Sequence, residues 1–458
     1  MSNNKNFLLK NAVEVSGPTK TTVGTVTSND VDLSTGNYFV DAPTGVSTYT
    51  FSNPADVQAF QMEITGGTAE VAQNFSTTLY TGNGTSQTIT NDIDLSGDGG
   101  LVWIKDRDAG NGHNFYDTER GATKRIASNL TSAETTRTDG LTSFNANGFS
   151  GGNDASINTN GNDYASWTFK KEPSFFDVVT WTGDGTARTL SHSLNSTVGC
   201  YIVKSTSLSS DWVVYHRGID ATSPEDFFLE LNNSNARFNF TYWNDTAPTT
   251  TEFNVGPYND TNANGETYVA YLFAHDTDAD GLIQCGSYTG NGSTDGPEIN
   301  LGWEPQWLLI KNTTTAGEQW LMVDTARGLA TGESPKRLWA NTNDAEATAA
   351  FAAMDLLSTG FKPVTTDATT NKSGDNYIYI AIRAASDLDI TWPTSIEWTG
   401  GAAPSAPATG ETDLYTFVTD EGPRPVVVYA LLLLVINPIV SHRQTSHEPR
   451  RSDQRPML

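Results

Sequence analysis

Three acidic residues at alternate positions are the clearest candidate for chemistry in this sequence. Residues 276–281 read DTDADG, which would place Asp276, Asp278 and Asp280 as the first oxygen ligands of a calcium loop. The twelfth position of such a loop is Ser287, not the bidentate glutamate of a complete EF-hand. Two interpretations follow: a calcium site that stiffens a junction, or an acidic, solvated connector. The incomplete motif favours the connector.

Other arrangements of catalytic residue types are incomplete. The string at 148–152 matches G-x-S-x-G, but asparagine-rich turns flank Ser150 where a nucleophile elbow needs a buried strand and a helix. Glycan cleavage would need paired carboxylates, and no E-x-D-x-x-E string occurs. The six histidines form no H-x-H or H-x-x-x-H pair. We therefore expect a protein that is not an enzyme and requires no cofactor, with calcium as the one ion considered.

Six basic residues recur at matching places in a chain that is poor in cations. Lysines close apolar strands and arginines precede glycines, at Lys105, Lys204, Lys311, Arg120, Arg217 and Arg327. These groups could form one ligand pocket per copy, or could pair with acids such as Asp117 and Asp324 and hold each copy together. Repetition favours the structural role, because residues that determine a fold repeat whether or not binding does.

Four tryptophans pose a similar choice between binding and packing. Trp212, Trp243, Trp320 and Trp339 could stack on sugar rings if they were exposed. Tryptophans at strand positions more often lie in a core, so we expect these four to be buried.

These residues belong to a repeat whose landmarks occur three times in the same order. The first landmark is an aromatic residue followed by a glycine turn, in YTGNGT (80–85), WTGDGT (181–186) and YTGNGS (288–293). The second is an apolar strand ending in lysine, in LVWIK (101–105), CYIVK (200–204) and WLLIK (307–311). The third is an Asn-Gly turn before a tyrosine-led strand. The tyrosines are Tyr164, Tyr268 and Tyr377, which lie 104 and 109 residues apart.

The residue pattern predicts an all-β protein. Short runs of β-branched and aromatic residues alternate with Gly, Asn and Asp turns, which favours tandem antiparallel sandwiches of jelly-roll or lectin-like appearance. The stretch AEATAAFAAMDLL at 345–357 is the most helical in the chain and predicts a short helix. Cys200 and Cys285 have no metal or redox spacing, so we expect two buried thiols.

The charge balance limits the partners. The chain carries 53 acidic and 27 basic residues, a net charge of −26. A field of this sign repels phosphate backbones and anionic membranes, so we expect neither nucleic acid nor membrane as a partner. The N-terminal residues lack the apolar core of a secretory signal, which disfavours conventional export.

The landmarks divide the chain into repeats and flanks. We call residues 73–172 repeat 1, residues 173–277 repeat 2 and residues 278–385 repeat 3. Residues 1–72 and 386–422 contain too few strands to bury a core separately, so we expect them to be two halves of one β-module that the repeats interrupt. The tail 423–458 has five arginines, two acidic residues and a short apolar run, and we expect this atypical segment to belong to neither part.

The flanks and repeats together resemble tailed-bacteriophage structural proteins of the marine phage type. LSTGNYF and AFQMEITGG in the first flank, and TDLYTFVTD in the second, are similar to a phage β-module. GSYTGNG, LGWEPQWLLIK and SGDNYIYIAIR at 286–292, 301–311 and 373–383 are similar to an uncharacterised phage structural domain. The resemblance implies a virion protein assembled in the host cytoplasm, expected to be a homo-oligomer.

Three functional hypotheses remain at this point. The first is a virion structural protein, as a tail fibre, appendage or capsid decoration, which binds host-surface glycans or other virion proteins. The second is a bacterial carbohydrate-binding adhesin or lectin, which genes for secretion beside its own would favour. The third is a glycan-degrading enzyme, which predicts release of reducing ends from envelope polysaccharide.

Overall fold

The structure is a computed structural model that describes residues 70–278 and 281–385 continuously and, outside them, the strands of the two flanks. The chain forms two compact units. One consists of Met1–Thr68 with Asp387–Leu458, and the other of Ala69–Ser386. No helix among the described residues is long and apolar enough to cross a membrane.

The first unit combines strands from both ends of the chain. Its described N-terminal strands are β1 (Phe7–Leu8), β2 (Glu14–Val15), β3 (Val26–Thr27), β4 (Asp30–Asp32), β5 (Tyr38–Asp41), β6 (Ser47–Thr48), β7 (Thr50–Ser52) and β8 (Ala59–Thr65). Its described C-terminal strands are β35 (Ile390–Thr391), β36 (Ile396–Trp398), β37 (Thr412–Thr419) and β38 (Val428–Leu434).

The two flanks share a sheet. Strand β8 pairs antiparallel with β37 from Thr412↔Thr65 to Val418↔Ala59. Strand β38, which lies in the tail, pairs with β37 on its other side, and the complete order is β36-β38-β37-β8-β5. The apolar run of the tail therefore contributes a strand to this unit.

The second unit contains the three repeats. Repeat 1 begins within α1 (Glu70–Asn74) and continues with β9 (Phe75–Thr81), β10 (Gln87–Ile89), β11 (Gly100–Asp106), β12 (Asn114–Asp117), β13 (Lys124–Arg125), β14 (Thr135–Thr136), β15 (Leu141–Asn145), β16 (Gly148–Gly151), α2 (Ala155–Asn158) and β17 (Asp163–Lys170). Repeat 2 consists of β18 (Phe176–Thr182), β19 (Arg188–Ser191), β20 (Val198–Ser205), β21 (Val213–His216), a 3-10 helix (Pro224–Asp226), β22 (Phe227–Glu230), β23 (Phe238–Asn239), β24 (Glu252–Val255) and β25 (Thr267–Ala274).

Repeat 3 follows the same plan. It consists of β26 (Ile283–Thr289), β27 (Ile299–Asn300), β28 (Pro305–Asn312), β29 (Leu321–Asp324), a 3-10 helix (Thr325–Arg327), β30 (Lys336–Trp339), β31 (Ala347–Thr348), a 3-10 helix (Ala350–Ala352), β32 (Met354–Leu357), β33 (Gly360–Pro363) and β34 (Asn376–Arg383).

One antiparallel sheet order occurs in all three repeats. The main sheets contain the orders β12-β11-β17-β9, β21-β20-β25-β18 and β29-β28-β34-β26. In each order the tyrosine-led strand (β17, β25 or β34) lies between two others. On one side is the strand that ends in the first landmark (β9, β18 or β26), and on the other is the lysine-ending strand (β11, β20 or β28). Smaller sheets, β10-β16-β15, β19-β24 and β27-β33-β32, complete the repeats. The predicted all-β fold of antiparallel sheets is confirmed.

The lysine-ending strands are apolar on both faces because both faces are covered. In β11, Val102 and Ile104 pack in a cluster with the small sheet of repeat 1. Leu101 and Trp103 face the other way, into a cluster that contains residues of all three repeats. A strand buried on both sides requires a continuous apolar run and not an alternating one, which explains the second landmark.

The first and third landmarks form one interlocked turn. Asn158 accepts a hydrogen bond from the Asn83 backbone nitrogen at 2.7 Å, and its amide donates to the Gly152 carbonyl at 2.7 Å. The Tyr164 hydroxyl accepts from Thr159 N at 2.8 Å, and its ring stacks on Tyr80 with centroids 5.1 Å apart. Equivalent bonds surround Asn371 and Tyr377 in repeat 3.

The helix predicted over 345–357 is wrong. The segment forms β31, a single 3-10 turn at Ala350–Ala352 and β32. Strand β31 pairs with β30, and β32 pairs with β33. Tertiary strand pairing therefore overrides the helix propensity of the alanines.

Candidate functional site

The three repeated lysines lie at equivalent places and are fully buried. Each is the last residue but one of its lysine-ending strand, and Lys105, Lys204 and Lys311 are 0% exposed. Lys204 Nζ donates to Ser205 O at 2.8 Å, and Lys311 Nζ donates to Asn312 O at 2.7 Å. Burial lowers the pKa of each lysine to about 8. Each ammonium group contacts the backbone carbonyl of the next residue, and those of Lys105 and Lys204 also contact a carbonyl of the following loop. The prediction that the lysines pair with acids is therefore wrong.

The loop after each lysine makes the contact between neighbouring repeats. Three equivalent backbone hydrogen bonds join repeat 1 to repeat 2, repeat 2 to repeat 3 and repeat 3 to repeat 1. They run from Glu134 N to Thr206 O (2.8 Å), from Arg237 N to Thr313 O (3.0 Å) and from Glu346 N to Arg107 O (2.8 Å). Head-to-tail contacts that return to the first member form a ring, as in a cyclic trimer. The lysines therefore shape the loops that close this ring.

The arginines of repeats 1 and 3 lie in buried ion pairs. Arg120 Nε is 2.6 Å from Asp117 Oδ2, and Arg327 pairs with Asp324 at 2.7 Å. The predicted pairing with these two acids is confirmed. Arg217 differs, because its guanidinium donates to the Cys285 carbonyl at 3.5 Å.

Asp117 and its equivalent in repeat 2 also contact the next repeat. Asp117 Oδ2 accepts from the Tyr271 hydroxyl of repeat 2 at 2.7 Å. Its equivalent in repeat 2 is His216, whose Nε2 lies 3.0 Å from the Tyr379 carbonyl of repeat 3. Burial lowers the pKa of His216 to about 3, so the imidazole is neutral and bonds as a donor. These contacts join neighbouring repeats and stabilise the ring.

The tryptophans are core residues, as predicted. Trp212, Trp243, Trp320 and Trp339 are 0%, 0%, 2% and 8% exposed. Trp212 Nε1 donates to Leu130 O at 3.0 Å, and Trp320 Nε1 donates to Glu230 O at 2.9 Å, in each case across a repeat boundary. Both cysteines are also buried and free, as expected.

The acidic loop lies partly outside the described residues. Asp280 is not among them, whereas Asp276 Oδ1 accepts from Asp278 N at 2.9 Å and Asp278 is exposed. Among the residues that the structure does describe, no group of three metal-ligating side chains converges. Calcium binding by this loop stays a prediction.

A shallow groove of about 260 Å³ lies between repeats 1 and 2. Lys171 Nζ lies 2.5 Å from Glu119 Oε1 and 3.5 Å from Asp177 Oδ1, so one ammonium bridges both carboxylates. His192 also lines the groove. Its Nδ1 accepts from Leu194 N at 3.2 Å and its Nε2 lies 3.4 Å from Thr249 O, and burial lowers its pKa. The ionisable groups of the groove are thus engaged in bonds that hold the chain.

An exposed aromatic cluster in repeat 2 is the strongest candidate for a binding surface. We call it the aromatic patch, and it consists of Phe228, Phe238, Phe240, Tyr242 and Tyr258. Phe240 lies 4.7 Å from Tyr242 and 4.8 Å from Tyr258 between ring centroids, and Phe238 stacks on Phe228 at 5.4 Å. Phe238 is 43% exposed and Phe240 is 41% exposed. Phe238 and Phe240 thus leave apolar aromatic surface open to solvent, whereas Phe228 of the same cluster is buried.

Residues 70–385 match the family described as a domain of unknown function, DUF7483. The chain belongs to this family. The match runs through all three repeats, and its limits nearly coincide with those of the compact unit Ala69–Ser386. The DUF7483 domain is therefore the closed ring and not a single repeat. No curated protein matches the sequence.

The repeat landmarks of this DUF7483 chain do not include the aromatic patch, although the sequence carries a signal for it. Residues 238–243 read FNFTYW, a run of alternating aromatics in the repeat whose sequence differs most from the other two. The landmarks that recur in all three repeats contain residues that build the ring. The patch lies where the repeats differ.

Proposed function

We propose that this protein is a non-enzymatic structural component of a bacteriophage virion, a tail fibre, appendage or capsid decoration, which presents β-sandwich repeats to host glycans or neighbouring virion proteins. The observation that carries the proposal is the closed ring. The repeated arginines, lysines and buried histidines contact other parts of the ring, and the groove between repeats 1 and 2 has its charged groups bonded to one another.

The construction of the ring suits display. A ring of antiparallel sheets with one cluster common to three repeats is a rigid support. Binding residues on such a support can change without loss of the fold, since the contacts that hold it are elsewhere. The assignment to a virion rests on the resemblance of the repeat strings and the flanks to phage structural proteins.

Location of the chain is the direct test. Particles from an infected culture are purified through a density gradient, and the chain is sought by mass spectrometry and by cryo-microscopy. We expect it in the particle fraction at a fixed ratio to the capsid protein, with density for a three-part ring on the head or tail. Recovery solely in the envelope fraction of uninfected cells would favour the adhesin and reject the proposal.

The non-enzymatic part has a separate test. Purified protein is incubated with envelope polysaccharide, and reducing ends are measured. We expect no release above a heat-denatured sample. Release that disappears in Asp177→Asn would show that the groove carries a catalytic carboxylate.

A further inference from the structure

We propose that the aromatic patch of repeat 2 binds neutral sugar rings of a surface polysaccharide. This inference rests on the proposed display function and names its ligand class. The same two-stranded ribbon occurs in each repeat, so the ribbons of repeats 1 and 3 serve as internal references for that of repeat 2.

The ribbon of repeat 2 differs from its equivalents at the positions that face each other. In repeats 1 and 3 its first strand carries Lys-Arg and its second carries Thr-Thr or Ala-Thr. In repeat 2 these become Phe-Phe and Phe-Asn. The paired positions are Arg125↔Thr135, Arg337↔Ala347 and Phe228↔Phe238, with Lys124↔Thr136, Lys336↔Thr348 and Phe227↔Asn239 beside them.

The replacement places aromatic rings where the equivalent ribbons carry Lys, Arg, Thr and Ala. Phe238 and Phe240 remain more than two-fifths exposed although burial would stabilise the fold. Leu79 and Leu130, the other large apolar side chains exposed in the described part of the chain, are aliphatic. Exposed aromatic rings in a group indicate a ligand surface more strongly than single apolar residues do.

The size of the patch selects the kind of ligand. A phenylalanine can bury roughly 200 Å², so two rings exposed by about two-fifths offer on the order of 170 Å². A protein partner of standard size covers about 800 Å² on each side. The patch therefore matches one or two sugar rings better than a protein interface.

The chemistry at the rim fits a sugar. Aromatic faces attract the positive edge of C–H groups, and one face of a pyranose ring presents such groups. Beside the rings, Thr241 Oγ1 lies 2.5 Å from the Tyr258 hydroxyl, and the Tyr242 hydroxyl donates to Asp260 Oδ2 at 2.6 Å. These hydroxyls, with the exposed Asn239, supply acceptors and donors for sugar hydroxyls.

The charge of the chain selects neutral sugars. A net charge of −26 repels uronates, phosphates and sialates. Asp260 adds a carboxylate at the patch itself. We therefore expect binding to neutral hexose or N-acetylhexosamine polymers and not to anionic ones.

The test uses the purified full chain on a glycan array and in pull-down with insoluble glucan and chitin, with alginate and hyaluronate as anionic probes. The double variant Phe238→Thr, Phe240→Thr places in repeat 2 a residue type that the equivalent ribbons use. The double variant Leu79→Thr, Leu130→Thr removes exposed apolar side chains elsewhere and is the matched control. Melting temperatures of both variants establish that the fold is retained.

We expect the wild-type chain to bind at least one neutral glycan, the patch variant to lose at least 10-fold in affinity, and the control to bind like wild type. Binding confined to anionic glycans, equal loss in both variants, or no glycan binding would overturn the inference. A change of oligomeric state in the patch variant without glycan binding would instead identify a surface between copies of the chain. The glycan array tests the ligand of the patch, and the density gradient tests the location of the chain in the particle. The glycan proposal and the virion proposal can therefore fail independently.

Discussion

Asp324 of repeat 3 accepts a hydrogen bond from Trp167 Nε1 of repeat 1 at 3.0 Å, and the same Oδ2 is held by Arg327 Nε at 2.7 Å. One carboxylate oxygen thus accepts a hydrogen bond from an arginine of its own repeat and another from a tryptophan of repeat 1. The second bond closes the ring between repeat 3 and repeat 1. Asp117 does the same toward Tyr271. The ring is therefore stabilised by buried charge as well as by apolar packing.

Removal of this carboxylate should destabilise the ring strongly. Asp324→Ala leaves the fully buried Arg327 without its closest ion-pair partner and Trp167 Nε1 without an acceptor, and we expect a loss of about 3–5 kcal/mol in the free energy of unfolding. Urea denaturation measures it. Asp295→Ala is the control, since the Asp295 side chain is 87% exposed and its pair with Lys362 should contribute less than about 1 kcal/mol. Equal effects would contradict the role of Asp324.

The contact between repeats 2 and 3 offers a steric test. A Cβ at Gly199 would lie 2.6 Å from both Cβ and Sγ of Cys285, so Gly199→Ala should force the two repeats apart and lower the melting temperature. Gly110→Ala is the matched control, since its nearest atoms lie at 3.7 Å. Adding Cys285→Gly to Gly199→Ala should restore part of the loss, and a double variant no more stable than the additive sum would disprove the proposed clash.

The turns of each repeat can be predicted from the sequence because their residues lie close together along the chain, whereas the bonds that close the ring cannot. Asn158, Tyr164 and the turn at Asn83 recur as strings, because each landmark is a short segment with its own turn chemistry. The ring could not be read in the same way. Its three equivalent backbone bonds and the tryptophan bonds between repeats join residues at least 70 positions apart. The side chains also differ at equivalent places: Asp117 meets Tyr271, whereas His216 meets a backbone carbonyl.

The lysines and the alanine-rich segment were misjudged for different physical reasons. The acids near Lys105 in sequence suggested an ion pair, but the side chain lies inside a loop whose carbonyls are closer. The segment at 345–357 has a helical composition, but its neighbours are strands that need partners. In both cases nearby backbone groups decide the outcome: carbonyls one and four residues after Lys105, and strands of the same repeat that pair with the alanine-rich segment and override its helix propensity.

The buried histidines should make the protein sensitive to acid. His216 has a folded pKa of about 3, against about 6.5 in the unfolded chain, so the unfolded state takes up the proton first as the pH falls. Stability should decrease from pH 6.5 toward 3, by up to about 1.4 kcal/mol per pH unit for this group. His216→Gln keeps a donor toward Tyr379 and removes the titration, so its stability should fall less steeply in urea titrations between pH 7 and 4.5. Parallel curves would exclude the histidine as a cause.

The buried lysines should make the protein more stable in mild alkali. Their folded pKa values of about 8 lie below the unfolded value of about 10.4, so between these limits the folded state releases protons that the unfolded state keeps. Stability should therefore rise as the pH increases from 8 to 9.5, and Lys311→Met should reduce the rise. The exposed Lys336→Met is the control and should leave the slope unchanged. A melting temperature that falls throughout this range would show that the ammonium groups are not buried as described.

Isolation of one repeat tests whether the ring is the folding unit. A fragment of residues 70–172, which is repeat 1 with the whole of α1, exposes the face of β11 and β17 that carries Trp103, Trp167 and Phe169. All three lie in the cluster common to the three repeats. Because an exposed apolar face of this kind promotes association, we expect this fragment to form trimers through the same head-to-tail contacts or to aggregate. Light scattering distinguishes these states. The variant Asp117→Ala lacks the acceptor for the neighbouring repeat and should shift trimers toward aggregates or unfolded chain, whereas a stable, folded monomer would show that a single repeat folds independently of the ring.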